Sequence, residues 1–317
     1  MRRPVPALFL LISALFIAPL AGCSSTTTNA QQIKPAPPLI EYLGDWGIKG
    51  DGPGTLNDPR TIATDDFNAV YIADVGKPDR FIHKFTRGGH PRQSFTPQVK
   101  FQDPCASAVD HTGVIYVLDC STGVLNTFLL LENLQQRSVH TVPAKQKPVS
   151  LAVADDGRIY IASREQQVMA FTPRGGRIGP LGKNVREGAL FADQIASAPD
   201  NTIYVARCAQ PWVEQVNGNG DVTNQWVRST GVSGATDNDT CFLAATQKYI
   251  ALLANVPSAP VLRIFALNEK HEKLSRLLVD IDPTLANLNV KGMAATQDGE
   301  LLILDGATPR VLRFRLN

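Results

Sequence analysis

Cysteines, histidines and a recurring aspartate are the residues of this chain best suited to bridge backbone, hold a metal or move a proton. Cys105, Cys120, Cys208 and Cys241 form an even set once Cys23 is set aside near the N-terminus. In an exported chain such a set favours disulfides. No Cys-x-x-Cys pair occurs among them, which argues against a four-thiolate metal site. Asp74, Asp119 and Asp305 recur at one spacing and could hold a cation. An aspartate recurring at one structural position more often accepts hydrogen bonds from backbone amides in the loop that follows. The glycines of residues 47–54 suggest a phosphate cradle, but no Gly-Lys-Ser/Thr follows and no helix opens there, so they read as a connecting loop.

What must position these residues is a repeat. Val70-Tyr71-Ile72-Ala73-Asp74 returns at 115–119, 159–163 and 203–207, and in weaker form at 251–255 and 301–305. The copies end at residues 74, 119, 163, 207, 255 and 305, at intervals of 45, 44, 44, 48 and 50. Self-similarity at such a period marks a repeat architecture. Twelve residues before each end stands a second landmark: Ile62, Ser107, Leu151, Ile195, Leu243 and Met293, each followed by alanine. Polar turn residues separate the landmarks, as in Asp155-Asp156-Gly157, and the pair reads as a β-hairpin. The second run is apolar on consecutive residues, which suits a strand covered on both faces.

A third apolar run follows in every unit, at 81–85, 124–130, 168–171, 212–216, 261–267 and 311–316. Several units show a fourth, such as 93–95 or 223–227. Four strands per unit and six units describe an all-β, six-bladed β-propeller of four-stranded blades. The sixth unit lacks a fourth strand, and Ile40–Trp46 belongs to no other unit. We expect this N-terminal strand to join the last blade and close the ring, removing an open sheet edge.

Residues 47–59, with the glycine-rich stretch from Gly47 to Gly54 and then Pro59, resemble the lead-in of the NHL repeat. Residues 62–74 and 81–85, followed by Gly88-Gly89, resemble its body. The resemblance covers residues 40–317, is good in units one to four and weak in five and six. It implies the propeller fold and says little of the task, since propellers host many unrelated activities.

The repeat register sharpens the cysteine reading. Cys105 and Cys241 stand two residues before their first-strand landmarks, and Cys120 and Cys208 one after the second-strand ends. All four therefore lie on one face of the disc. Opposed residues of an antiparallel hairpin share a constant index sum, which sets Cys105 opposite Cys120, a bridge worth about 3 kcal/mol in the chain-entropy account. Cys208 has Asp193 opposite it, leaving Cys241 of the next blade as its partner in a staple between blades four and five. The same face carries Arg60, Asp193 and Lys291 at the starts of first strands, with Arg207 and Asn255 at second-strand ends. Around a channel mouth they form a mixed-charge ring, either a solvated surface or a recognition site for a polar ligand or peptide.

Enzymes exist among similar propellers. Peptidyl-amidoglycolate lyases resemble this repeat and use a histidine-held metal. Here His83, His90, His111, His140 and His271 fall in third strands, outer loops or opposite-face turns, away from the mouth. Six-bladed lactonases hold a divalent cation with Glu and Asn or Asp, and only Asp193, Asn255 and the repeat-end aspartates could imitate that. No Ser-His-Asp context is present. No catalytic residue, metal ligand or cofactor is therefore assigned; a divalent cation belongs only to the alternative of a lyase or lactonase at the mouth.

Arg2 and Arg3 precede an apolar run from Ala7 to Ala18, then Leu20-Ala21-Gly22-Cys23. The run is too short to span a bilayer and has signal-peptide flanks. Leu-Ala-Gly-Cys resembles a bacterial lipoprotein cleavage box. That resemblance implies a signal peptide at 1–22, a lipidated Cys23 and a multiply acylated (palmitate-bearing) anchor. Ser24, rather than Asp, implies sorting to the outer membrane, facing the periplasm. Residues 23–39, rich in Ser, Thr, Gln and Pro, read as a tether. The 31 Lys and Arg against 29 Asp and Glu become 29 against 29 once Arg2 and Arg3 are removed. A neutral domain without a basic stripe argues against nucleic acid. The expected partners are the membrane, through the lipid, and an envelope protein or polar ligand. The expected role is a binding or scaffold module.

Overall fold

The computed structural model describes residues 40–317, apart from 77–80, 131–133, 142–146, 166, 182–189, 199, 209–211, 219, 228–239, 256–259, 268–272 and 278–286. The leader and tether expected at 1–39, with Cys23, lie outside the described residues, as does His271.

The chain forms six four-stranded antiparallel sheets and is a six-bladed β-propeller. Blade one runs Pro59–Thr64, Val70–Asp74, Phe81–Phe85 and Pro91–Phe95 in spatial order, and blades two to five repeat that meander. Blade six takes Val290–Ala295, Glu300–Asp305 and Arg310–Leu316 from the C-terminal end, and its outer strand is Ile40–Trp46. That strand pairs antiparallel with Arg310–Leu316, from Ile40 opposite Leu316 to Trp46 opposite Val311. The expected closure of the ring is what the structure has.

The consecutive apolar residues of each second strand have a direct cause. Successive side chains point to opposite faces of a strand, and each face here packs on a neighbouring blade. Tyr71 and Ala73 meet Ile115 and Val117 of blade two. Val70 and Ile72 point the other way and meet Leu302 and Leu304 of blade six. Tyr116 and Leu118 meet Ile159 and Ile161 of blade three, and Tyr160 and Ala162 meet Ile203 and Val205 of blade four. Tyr204 and Ala206 meet Ile250 and Leu252 of blade five, and Ala251 and Leu253 meet Leu301 and Ile303 of blade six. Each of the six blade-to-blade interfaces thus has its own apolar cluster, and the one between blades six and one completes the circle.

Ring closure is also fastened by polar contacts. Arg310 Nη1 lies 2.6 Å from Asp45 Oδ2, joining the closing strand to its neighbour. The Trp46 indole N–H donates to the Arg87 carbonyl at 3.1 Å, and its ring lies 4.9 Å from that of Phe85. Gly89 sits under that indole with φ +85°, and a Cβ there would come within 2.3 Å of it. Trp46 thus packs between the last and first blades. The side chains of Trp212 and Trp226 lie outside the described residues.

Several details differ from the sequence reading. The hairpin ladders of blades one and two have index sums of 134 and 224, as in Ile62–Ile72 and Ser107–Val117, one less than expected. The third strand of blade three begins at Met169, and those of blades five and six begin at Pro260 and Arg310. His140 lies in the fourth strand of blade two, Leu134–Thr141.

Candidate functional site

The first strands line the central channel. The six sequence landmarks Ile62, Ser107, Leu151, Ile195, Leu243 and Met293 all border one small cavity of about 60 Å³ at its middle. The alanines that follow them border the channel toward the opposite face. Toward the cysteine-bearing face the channel widens into a cavity of about 430 Å³ with lining residues from all six blades.

A recurring irregularity builds this mouth. The ladder between first and second strands slips by one residue between Pro59 and Thr61, Pro104 and Ala106, Pro148 and Ser150, and Val290 and Gly292. The residues left over are Arg60, Cys105, Val149 and Lys291, and all four line the mouth. A bulge inserts one unpaired residue and re-aims its side chain. In three of these blades the residue before it is proline, which tolerates the first position of a strand because it has no N–H to place in the ladder. The landmarks therefore fix the channel wall, and the bulges fix what faces its mouth.

Both disulfides form in the expected pairs, and all four cysteines line the mouth. Cys105 and Cys120 have Cα atoms 5.7 Å apart, and Cys208 and Cys241 5.4 Å, both in the usual range. Cys105 reaches its partner from the bulge rather than from a regular ladder position. Cys208–Cys241 staples blade four to blade five.

The charged lining is mixed. Arg60 Nε lies 3.0 Å from Asp58, and its Nη1 is 3.5 Å from Asp103 of blade two. Asp193 accepts the Cys208 amide at 2.8 Å and faces Arg164 Nε at 4.0 Å. Lys291 has no carboxylate partner among the described residues. Of the five residues nominated from sequence, Arg60, Asp193 and Lys291 share the cavity, and Arg207 is not among its lining residues. Asn255 ends the second strand of blade five opposite Thr240, and its side chain is outside the described residues. Sequence reasoning missed Asp103 and Arg164. Their signal was present, since Asp103 directly precedes Pro104 and Arg164 directly follows the repeat end at Ser163.

The repeat-end aspartates behave as backbone acceptors and reach further than expected. Asp74 takes the amide of Gly76 in the following loop at 2.8 Å, and also those of Asn57 and Asp58 before the first strand at 2.7 and 3.0 Å. Asp305 does the same with Ala307 and Asn289. Asp119 accepts from the Gln102, Ser121 and Thr122 amides and the Ser121 hydroxyl. Burial alone would raise its carboxyl, but these donors outweigh it and hold it below the usual range.

The glycine-rich stretch is a closed loop against blade one: Leu56 N–H donates to the Ile48 carbonyl at 2.8 Å, and Gly54 N–H to Ser94 Oγ at 2.9 Å. Beneath it His83, 1% exposed, places Nδ1 2.8 Å from Ser94 Oγ. Burial pushes its imidazole down to about 4, against a smaller upward pull from Asp74. The opposite mouth is acidic, with Asp65, Asp66 and Asp155 on its wall. Burial and the neighbouring Asp66 raise the Asp155 carboxyl, and His111 opposes them.

No protein-family model and no curated protein matches this chain. Solved structures do resemble it. The resemblance is one of fold. A Bacteroides fragilis protein described as exported superposes with TM-score 0.61 at 9% identity, over 88% of this chain and 96% of that one. A streptogramin B lyase gives 0.52 at 11% identity, over 88% and 97%. A catalytically inactive virginiamycin B lyase from Staphylococcus aureus, solved with quinupristin, gives 0.54 at 8% identity, over 88% and 100%. Identities this low carry no activity across, because sites are grafted on folds independently of them.

Proposed function

We propose that this protein is a membrane-tethered periplasmic propeller that binds a protein or polar ligand at its disulfide-stapled mouth. On this reading residues 1–22 are a lipoprotein signal peptide and Cys23 carries the lipid that holds the chain at the outer membrane. Residues 23–39 are the tether, and 40–317 are a divergent NHL-type propeller. The observation that supports it is the mouth itself: bulges aim side chains into it from four blades, and both cystines stiffen its rim. Rigid elements presenting loop-lined faces are the usual setting for recognition. Arg207 and Asn255, at second-strand ends on this face, extend the binding surface beyond the cavity. The likeness to an exported protein agrees with the address.

The binding role is tested by photocrosslinking in cells from Arg60 and Arg207, with His111 on the opposite face as control, read by mass spectrometry. One dominant adduct from the first two sites and none from His111 is the expected result. Equal labelling from both faces, or none, would remove the assigned face. One stoichiometric divalent ion in protein purified without added metal would instead favour a lyase or lactonase at the mouth. The address is tested with Cys23→Ser: palmitate incorporation and sedimentation with outer membranes should both be lost.

A further inference from the structure

We propose that the mouth is a site for a small monocarboxylate, seated on the Lys291 ammonium and reaching down to the hydroxyls of Thr61 and Ser107; this rests on reading the mouth as the binding face. Lys291 is the bulged residue at the start of blade six, so its side chain is turned into the cavity instead of along the ladder. Its stem is held in place by Gly306, where a Cβ would come within 2.7 Å of Lys291 Cγ and Cε. No larger residue fits there without pushing the lysine away.

The charges around it select the ligand. The Arg60 guanidinium is engaged by Asp58 and Asp103, and Arg164 faces Asp193. Lys291 is the cation of the lining without a carboxylate partner among the described residues. One compact ammonium compensates one negative charge. Asp103 and Asp193 on the same wall repel a second, which disfavours a phosphate dianion.

The floor supplies an independent reason to expect an occupant. Thr61 is 2% exposed, its Oγ1 has no hydrogen-bond partner among the described residues, and it lines the 60 Å³ cavity beneath the mouth. Ser107 Oγ, on the same wall, also lacks a partner among the described residues. Lys291 and Gln194 border both cavities, so the two adjoin. Buried polar groups are as a rule hydrogen-bonded. Two unpaired hydroxyls below an unpaired ammonium match a ligand with a carboxylate at one end and an amide or hydroxyl at the other. The volume of the mouth, about 430 Å³, is in the range of small-molecule pockets.

The test is calorimetric titration of the detergent-solubilised full chain with N-acetyl-dialanine and, separately, with its C-terminal amide. The acid should bind one to one and saturably, with the amide at least about tenfold weaker. Lys291→Gln should weaken the acid to the level of the amide and leave the amide unchanged. Lys291→Arg should restore binding of the acid, and Lys248→Gln, at a distant turn, should change neither. Melting curves identify any variant that fails to fold. Equal affinity for acid and amide, no binding of either, or displacement of the acid by equimolar inorganic phosphate would overturn the proposal. Parity of acid and amide alongside crosslinks from Arg60 would remove the carboxylate specificity and leave the binding face intact. Loss of both would remove the face as well.

Discussion

At the scale of single residues, buried polar groups carry the most specific consequences. His83 is neutral in the folded protein, with its imidazole held at about 4 against 6.5 in an unfolded chain. Above pH 6.5 neither state binds the proton and the native contribution is complete. As the pH falls from 6.5 toward 4, the unfolded chain takes up a proton that the native protein refuses, so stability is lost over that window. The full loss is about 3 kcal/mol. Denaturant titrations at pH 7 and pH 4.5 should show His83→Gln losing less stability on acidification than the parent. An equal loss in both proteins would contradict the assignment. Asp119→Ala strands the amides of Gln102, Ser121 and Thr122 at once. It should cost about 3 kcal/mol in chemical denaturation, with Asp119→Asn less severe because one acceptor oxygen remains.

At the scale of elements, the strands were legible because each second strand is buried on both faces, so its signal is an unbroken apolar run. The closing strand was legible by subtraction, as the one strand without a blade. The bulges were not. A one-residue slip leaves composition and period untouched and shows only as a proline before a residue of no fixed type, as in Pro59-Arg60, Pro104-Cys105 and Pro148-Val149. Cys105 meets Cys120 although the ladder is offset by one residue, because Cys105 occupies the bulge and Cys120 lies one past the ladder's last pair. The staples should differ in weight. Cys208–Cys241 closes a separation of 33 residues and Cys105–Cys120 one of 15. In the chain-entropy account their removal costs about 4 and about 3 kcal/mol. Double serine variants compared by denaturant midpoint would check that order.

At the scale of the whole molecule, the closed ring has two unlike mouths, one acidic and one rimmed by cystines and mixed charge. Closure rests on Ile40–Trp46, and Gly89 is shaped to accept its tryptophan. Gly89→Val would set a Cβ where the Trp46 indole lies and at a φ that β-branched residues avoid. It should detach the closing strand, expose the edge Arg310–Leu316 and produce oligomers in size-exclusion chromatography. A monomeric, fully stable variant would contradict that role. The fold could be read from sequence because six copies of one pattern reinforce each other. The mouth could be read only in part, since Asp103 and Arg164 stand one residue outside the strands and the bulges that turn side chains toward them leave the repeat period unchanged.

On the proposed reading, the cystine-rimmed mouth is occupied in the living cell. Amine-reactive footprinting of intact cells against purified protein, quantified per lysine by mass spectrometry, addresses it directly. Lys291 should be protected in cells and reactive once purified, while Lys248, exposed in a turn away from the mouth, reacts equally in both. Equal reactivity of Lys291 in the two settings, or protection of Lys248 instead, would contradict the assignment of the mouth as the working face.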